Sequence, residues 1–304
     1  MSSISIDEYT DLIKENRKKA FKKPYDLVYD NFIKLNYDKE DKSFFFDNAS
    51  EIVEKLRQAS WNDFKIQEQE FTSNMLKELI DTSYIRNLQP IDAITWFVEE
   101  FQKHIYVLTL SNTQSRRSRA GKEFENILEM LMIGAGIPLD SQGNIGKQEF
   151  IDKGLGKQVD LVSPGVIEYM INKRNTVLIS AKTTLRERWQ EVPEEMGRTG
   201  AREMFLATLD STISTDVLNT LYEANIQVTT TKSIKDNFYK TNSRILTFED
   251  LLKMCSDNVS IWKNHAYTIE QYKQIIQLLE KQSKKHNKHE FIKEYYFQRL
   301  KDTK

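Results

Sequence analysis

Three ionisable residues stand in or just beyond stretches that are otherwise apolar. Asp160 interrupts the β-branched run from Val159 to Val162, Lys182 closes the run from Val177 to Ala181, and Glu195 follows a little further on. A charged group in such a place costs free energy unless it has a partner or a task. A carboxylate binds Mg²⁺ through oxygen, and magnesium keeps several waters while taking few protein ligands. The ion can acidify water and stabilise charge growing on phosphorus. A lysine beside it can neutralise the phosphate or orient the attacking water. Asp160, Lys182 and Glu195 therefore read as the centre of a metal-dependent phosphodiesterase, with Asp160 and Glu195 on Mg²⁺. A lone strand-end aspartate is often only structural. An aspartate paired with an apolar-x-Lys ending on the next strand is the more specific sign.

A second constellation follows the lysine: Arg186-Glu187-Arg188. Arginine can bond bidentately to guanine O6 and N7, and glutamate can accept from cytosine N4. One short segment could thus read neighbouring G and C positions from the major groove. The alternative is a solvated helix start with local ion pairs.

These residues together resemble the PD-(D/E)xK nuclease superfamily, in its type II restriction endonuclease branch. The usual second acid of that motif would fall at Ser180, and here it is serine. One branch carries Ser-x-Lys with the carboxylate moved to the following helix, and Ser180-Ala181-Lys182 with Glu195 matches it. That branch includes enzymes that cut CCGG and CCNGG sites, among them the SsoII type. The motif departs from the family pattern also at Val159, where proline often precedes the aspartate. The resemblance implies an acid from an earlier helix beside the metal, assigned to Glu125 in Gly121-Lys122-Glu123-Phe124-Glu125. It implies that Arg186, Glu187 and Arg188 read CC/GG half-sites, and that cleavage leaves 5′-phosphates. It implies a homodimer on near-palindromic duplex DNA, with higher assembly left open, serving a restriction-modification system whose methylase is encoded elsewhere.

CCNGG has one more central pair than CCGG, which separates the half-sites by about 3.4 Å and turns them by roughly 35°. Extruding the central nucleotides would let a dimer built for CCGG grip both halves, as enzymes of this resemblance do. A flipped base needs an aromatic partner. Arg57 and Trp61, four apart, would share a helix face if the helix over 49–60 continues that far, and could supply a stacking surface. Trp61 as plain core is the competing reading. The run Ser115-Arg116-Arg117-Ser118-Arg119 reads as a basic segment ahead of a helix start, where Arg116, Arg117 and Arg119 would contact phosphate. An ordinary solvated loop is the alternative.

Elements able to position these residues can be read from periodicity. Residues 1–113 read as a helical N-terminal portion, with helices over 6–21, 25–35, 49–60, 71–80 and 91–108, the last opened by Pro90. Phe44-Phe45-Phe46 reads as a buried anchor or short strand. A helix over 122–133 stops at Gly134-Ala135-Gly136. Residues 114–304 read as the nuclease core with C-terminal helices. Its candidate strands are 148–151, 159–162, 176–181, 204–208, 226–229 and 244–247. Its helices are 193–200, 215–224 and 247–255, the last with a Thr247/Asp250 capping box. The fold class is α/β: a mixed central sheet flanked by helices, a restriction-endonuclease-like core. Charged helices make the tail over 268–301, docked by Tyr295, Tyr296 and Phe297. His286 and His289 lie there without a Cys or further His to complete a tetrahedral metal set.

Composition excludes little by itself. Lys and Arg number 44 against 45 Asp and Glu, a net charge of −1 in 304 residues, so no overall basic signature marks a nucleic-acid partner. Basic residues clustered locally suffice for a site-specific enzyme. A single cysteine, Cys255, rules out an internal disulfide and suits a reducing compartment. No leader and no long apolar run is present, so the expectation is a soluble cytoplasmic protein without membrane contact. P-loop, dinucleotide, GxSxG and zinc patterns are absent. The rival functions are a structure-directed repair nuclease and a catalytically silent DNA-binding regulator.

Overall fold

The computed structural model describes residues 4–303. Two compact units divide the chain: Met1–Leu27 with Gln58–Lys122, and Val28–Arg57 with Glu123–Lys304. The division is thus not a single cut between residues 113 and 114. Residues 28–57 belong with the larger unit because their side chains are used there. The Phe32 ring centroid lies 5.1 Å from that of Phe291. Ser50 donates to the Glu249 carboxylate from its backbone N–H at 2.8 Å and its hydroxyl at 2.7 Å.

Among the described residues the larger unit holds one six-stranded sheet. Its strands are β1 (Asp140–Ser141), β2 (Leu161–Ser163), β3 (Val177–Lys182), β4 (Met204–Thr208), β5 (Ile226–Thr230) and β6 (Leu246–Thr247), lying side by side in that order. The first two pairings are antiparallel and the last three parallel, so the sheet is mixed as expected. Parallel neighbours need crossovers. The helices Glu191–Thr199, Thr215–Glu223 and Lys232–Phe238 supply them. Side chains alternate across each strand. Val162, Leu178, Met204, Leu206, Ile226 and Val228 join one core cluster with Val192 and Met196 of the crossover helix. Leu161, Ile179, Ala181, Phe205 and Ala207, the intervening residues, are buried too. Burial on both faces explains why these strands read as near-continuous apolar runs.

The expected strand 148–151 is a helix, Lys147–Asp152. Its Phe150 is fully buried, and Gln148 bonds Asp152 one turn on at 2.8 Å, a spacing that only a helix brings together. Phe44 to Phe46 are helical within Lys42–Asp47, with Phe45 the buried anchor. Thr247 forms the capping box with Asp250. In the tail Tyr296 is buried and Tyr295 donates to the Ile137 carbonyl at 2.7 Å, whereas Phe297 is 48% exposed with Lys301 Nζ 4.4 Å from its ring centroid.

Within the smaller unit Tyr9, Ile13, Phe71, Met75, Leu79, Phe101 and Leu108 form the core. Two long helices replace several shorter expected ones. Ala49–Lys77 is continuous, where two helices were expected. Pro90 does open a helix, but that helix ends at Glu100, and a new one runs from Gln102 to Gly134. No proline interrupts 102–134, and Gly121 alone is too weak a breaker to stop a helix of that length. The run 115–119 therefore lies in mid-helix and not ahead of a helix start. The helix stops where Phe45 crosses it: a Cβ at Gly134 would lie 2.1 Å from the Phe45 ring. No helix among the described residues is long and apolar enough to cross a membrane.

Candidate active site

Asp160 sits one residue ahead of β2, with its backbone engaged on both sides. Its N–H donates to the Ile179 carbonyl and its carbonyl accepts from Gln142 N–H, each at 2.9 Å. Val162 is paired with Leu178, so alternation puts Asp160 on the face that carries Ser180 and Lys182. Asp160 Oδ2 accepts from Ala181 N–H at 2.7 Å and lies 3.3 Å from Lys182 Nζ. Lys182 Nζ also donates to the Ala181 carbonyl at 3.2 Å. The side chains of Lys182 and Asp160 are only 13% and 8% exposed. Their pairing offsets a desolvation cost that neither could bear alone.

Glu195 arrives from the helix Glu191–Thr199. Val192, Glu195, Met196 and Thr199 are its buried residues, so Glu195 lies on the inward face. Its carboxylate occupies the space over Gly156: a Cβ there would fall 1.3 Å from Glu195 Oε1. Gly156 accepts from Val159 N–H in the turn that leads into Asp160. Two ties hold that loop to the helix. Gln158 donates to Glu191 at 2.6 Å. The Tyr169 hydroxyl, fully buried, is shared between the Gly154 carbonyl at 2.9 Å and the Thr199 carbonyl at 2.6 Å. Sequence reasoning missed both Gly156 and Tyr169. A glycine a few residues before a motif aspartate was the only signal.

Among the described residues no hydrogen bond engages Asp160 Oδ1 or the Glu195 carboxylate, while Asp160 Oδ2 is taken up by Ala181 and Lys182. Asp160, nearly buried with one uncommitted oxygen beside an ammonium, and Glu195, nearly buried over the turn that precedes it, are donors of the kind that suits a hard divalent cation keeping much of its water. No three His, Cys, Asp or Glu side chains among the described residues form a metal-holding group. Glu125, half-buried on Gln102–Gly134, thus does not complete a third ligand with Asp160 and Glu195. Ser180, where the usual acid would stand, is fully buried, and its Oγ has no hydrogen-bond partner among the described residues.

Beyond Lys182 the chain turns into a short 3-10 helix, Arg186–Gln190. Leu185 is buried in the core, whereas Arg186, Glu187 and Arg188 are all exposed. Arg186 has φ +41°, a left-handed conformation that costs a residue with a Cβ about 1–2 kcal/mol. Arg188 donates to the Thr184 carbonyl at 2.9 Å. Asp210, just past β4, accepts from Leu185 N–H at 2.8 Å. Burial pushes the Asp210 carboxyl up, but the Leu185 and Thr212 donors and the Arg186 charge outweigh it and hold the group below its usual range.

The remaining expected site residues are more occupied than their sequence suggests. Trp61 is half-buried and stacks on Phe64, centroids 5.4 Å apart and planes at 29°. Arg57, 23% exposed, lies 3.5 Å from the buried Glu123. Burial pulls its pKa down and Glu123 opposes that. Arg116 grips Glu68 through Nε at 2.7 and 3.0 Å. Arg119 donates to the Lys22 carbonyl at 2.8 Å and lies over the Phe64 ring, 5.0 Å from its centroid. Arg117 is exposed and, among the described residues, has no hydrogen bond or ion pair. His286 and His289 face each other, Nδ1 to Nδ1 at 3.1 Å, with Asn144 on His286 Nε2 at 2.9 Å.

Comparison with known proteins adds the following. The family described as EcoRII C terminal matches residues 83–252. The type II restriction enzyme SsoII of Shigella sonnei is 51% identical over 300 residues, spanning 99% of this chain and 98% of that one. The structure of metal-depleted Ecl18kI in complex with uncleaved, modified DNA matches with TM-score 0.93 and 50% identity, covering 98% of this chain and 99% of that one. The restriction endonuclease PspGI–substrate DNA complex shares the fold at TM-score 0.57 and 18% identity, covering 79% of this chain and 96% of that one.

Proposed function

The chain belongs to the EcoRII C-terminal family of type II restriction enzymes, and from that membership we propose that it cuts duplex DNA at 5′-CCNGG sites with Mg²⁺ as cofactor. The broader activity follows from family membership: it is a site-specific deoxyribonuclease of a restriction system, and DNA is its partner. The finer reading rests on one observation above the others. Asp160 Oδ2 is spent on Ala181 and Lys182 while Oδ1 is left over, and Glu195 lies over Gly156 in the turn that leads into Asp160.

Asp160 Oδ1 and Glu195 would hold the ion. Magnesium bound there would stabilise charge at phosphorus and make water more acidic. Asp160 Oδ2 aims the Lys182 ammonium, which neutralises a phosphate oxygen or orients the attacking water. Proximity and alignment of this kind supply much of a phosphodiesterase's rate. Glu125 would act from the rim of the site, and the products would carry 5′-phosphates. Arg186, Glu187 and Arg188 would read the C and G edges, one copy of the chain per half-site, which makes the working form a homodimer. Trp61 and Arg57 would receive the central base by stacking; Trp61 has Phe64 behind it as a rigid backing. Arg117 is the readiest phosphate contact of its run, since Arg116 and Arg119 must first leave Glu68 and Lys22.

A plasmid digest with magnesium, followed by sequencing of the ends, tests this. Discrete bands with CCNGG at every end and none in a chelator are expected. A smear, or cutting confined to branched or damaged DNA, would make the chain a structure-directed nuclease instead.

A further inference from the structure

The parallel neighbour of β3 is followed by a residue whose carboxylate bonds the segment after Lys182 through one oxygen and its own loop through the other. Asp210 is 8% exposed and stands two residues past the end of β4. Oδ2 accepts from Leu185 N–H at 2.8 Å, one peptide before Arg186. Oδ1 accepts from Thr212, N–H at 2.9 Å and hydroxyl at 2.7 Å. The backbone of Asp210 is itself fixed. Its N–H donates to Thr208 Oγ1 at 3.2 Å, and the Tyr239 hydroxyl donates to its carbonyl at 2.9 Å while accepting from Ile213 N–H at 3.0 Å. Leu209 N–H reaches back to the Thr183 carbonyl at 3.3 Å.

We infer that Asp210 is a specificity-determining positioning residue, which sets the angle at which Arg186 leaves the sheet and so the base edge that Arg186 reads. This rests on the reading of Arg186 as a base contact. Arg186 holds φ +41°, which a side-chain-bearing residue keeps only when its surroundings impose it. On the N-terminal side of Arg186 the imposing groups are the buried Leu185 side chain and the bond from Leu185 N–H to Asp210. On the far side Arg188 bonds the Thr184 carbonyl and, through its N–H, the Leu185 carbonyl at 2.8 Å, both inside the same loop, while Trp189 packs against the core cluster with no hydrogen bond to the sheet among the described residues. Without Asp210 the segment keeps the Leu209–Thr183 bond and the buried Leu185 side chain but loses the bond that orients the Leu185 N–H, one peptide before Arg186. A guanine contact made through two parallel bonds tolerates little rotation, so discrimination should fail before cleavage does.

The test compares cleavage of the cognate duplex with duplexes altered at the inner or the outer G·C pair of each half-site. The proteins are the wild type, Asp210→Asn, Thr212→Val and Arg186→Ala. Asp210→Asn should lose about tenfold or more of the discrimination at the same pair that Arg186→Ala relaxes, and keep the other pair within about twofold. Thr212→Val keeps the charge and the bond from the residue-212 N–H but removes the hydroxyl's bond to Oδ1, and should err at that pair by less. It decides the matter if Asp210→Asn does not melt cooperatively. Equal loss at both pairs, or none, overturns the proposal and makes Asp210 a fold residue. Selective loss in Arg186→Ala alone sinks only the role of Asp210. Unchanged discrimination in Arg186→Ala removes the base-reading premise, and the proposal with it.

Discussion

The Asp160–Lys182 pair and the segment Arg186-Glu187-Arg188 are neighbours in sequence and are held by unlike means. Asp160 takes the Ala181 N–H with its side chain, so sheet register and site geometry are one structure. Slipping β3 by one residue would reverse its faces and dissolve both. Arg186, Glu187 and Arg188 are exposed, begin in a left-handed conformation, and are tied to the sheet through Leu185. The chemical groups are thus placed by the part of the molecule that can move least. The groups proposed for recognition are placed by a tether, which can change without touching the sheet. An enzyme built this way can alter the sequence it reads while keeping the bond it cuts.

The largest effect should fall on the sheet-locked pair. Lys182→Ala and Asp160→Asn should each lower cleavage by about 10³-fold or more while sparing specific binding in gel-shift titrations. Asp160→Asn is preferable to alanine, since an unpaired buried ammonium costs about 3–5 kcal/mol and could unfold the site. Magnesium-dependent cutting at the wild-type rate in either variant would remove the mechanism. Next in size is Gly156→Ala. The added methyl would sit 1.3 Å from Glu195 Oε1, so the carboxylate must leave its place. Displacement of about 1 Å at such a site costs about 10²-fold in rate. If Gly156→Ala cuts normally while Glu195→Ala is dead, Glu195 works from some other position than the one over Gly156.

Much of that sheet could be read from the chain, and for a physical reason. A strand buried on both faces is an apolar run, so Asp160 and Lys182 stand out from it as charges in the wrong solvent. The helix bearing Glu195 shows its inward face through Val192 and Met196 at helical spacing. Legibility fails where the partner is remote. Arg116 and Arg119 look like free cations, yet Glu68 and the Lys22 carbonyl come to them from 48 and 97 positions away. Strand β1 has two residues and no period to detect. Lys147 to Asp152 is six residues long, too short for period 2 and period 3.6 to be told apart. The start of helix 102–134 is hidden for the opposite reason: nothing in 115–119 breaks a helix, and a basic run there reads as a start.

A smaller effect belongs to the tethered side of the comparison. Arg186→Ala should cost about 1–3 kcal/mol of discrimination at one guanine, measured as the ratio of kcat/KM for cognate and single-substituted duplexes. Catalytic groups untouched by the change should keep the cleavage rate at saturation near normal. Equal weakening on every sequence, with a shallower salt dependence, would mean that Arg186 touches phosphate.

The smallest effect separates burial from catalysis. His286 is as deeply buried as Asp160 and meets His289 at its Nδ1, with the Lys285 charge nearby. Asn144 holds its Nε2, and Glu129 lies 3.8 Å from the same atom. Burial first, then His289 and Lys285, pull its pKa from 6.5 down to about 3. The unfolded chain therefore binds a proton near pH 6.5 that the folded chain refuses until about pH 3. Stability is whole above about pH 6.5 and falls as pH drops from there toward 3. Asp140 and Glu168, raised by their own burial, bias the slope the other way, so the comparison must be between variants in one buffer series. Tm should drop less in His286→Gln than in the wild type between pH 7 and pH 5, a range that spans the ordinary histidine value of about 6.5. Parallel curves would mean that His286 accepts its proton in the fold, with Glu129 as the partner that lets it.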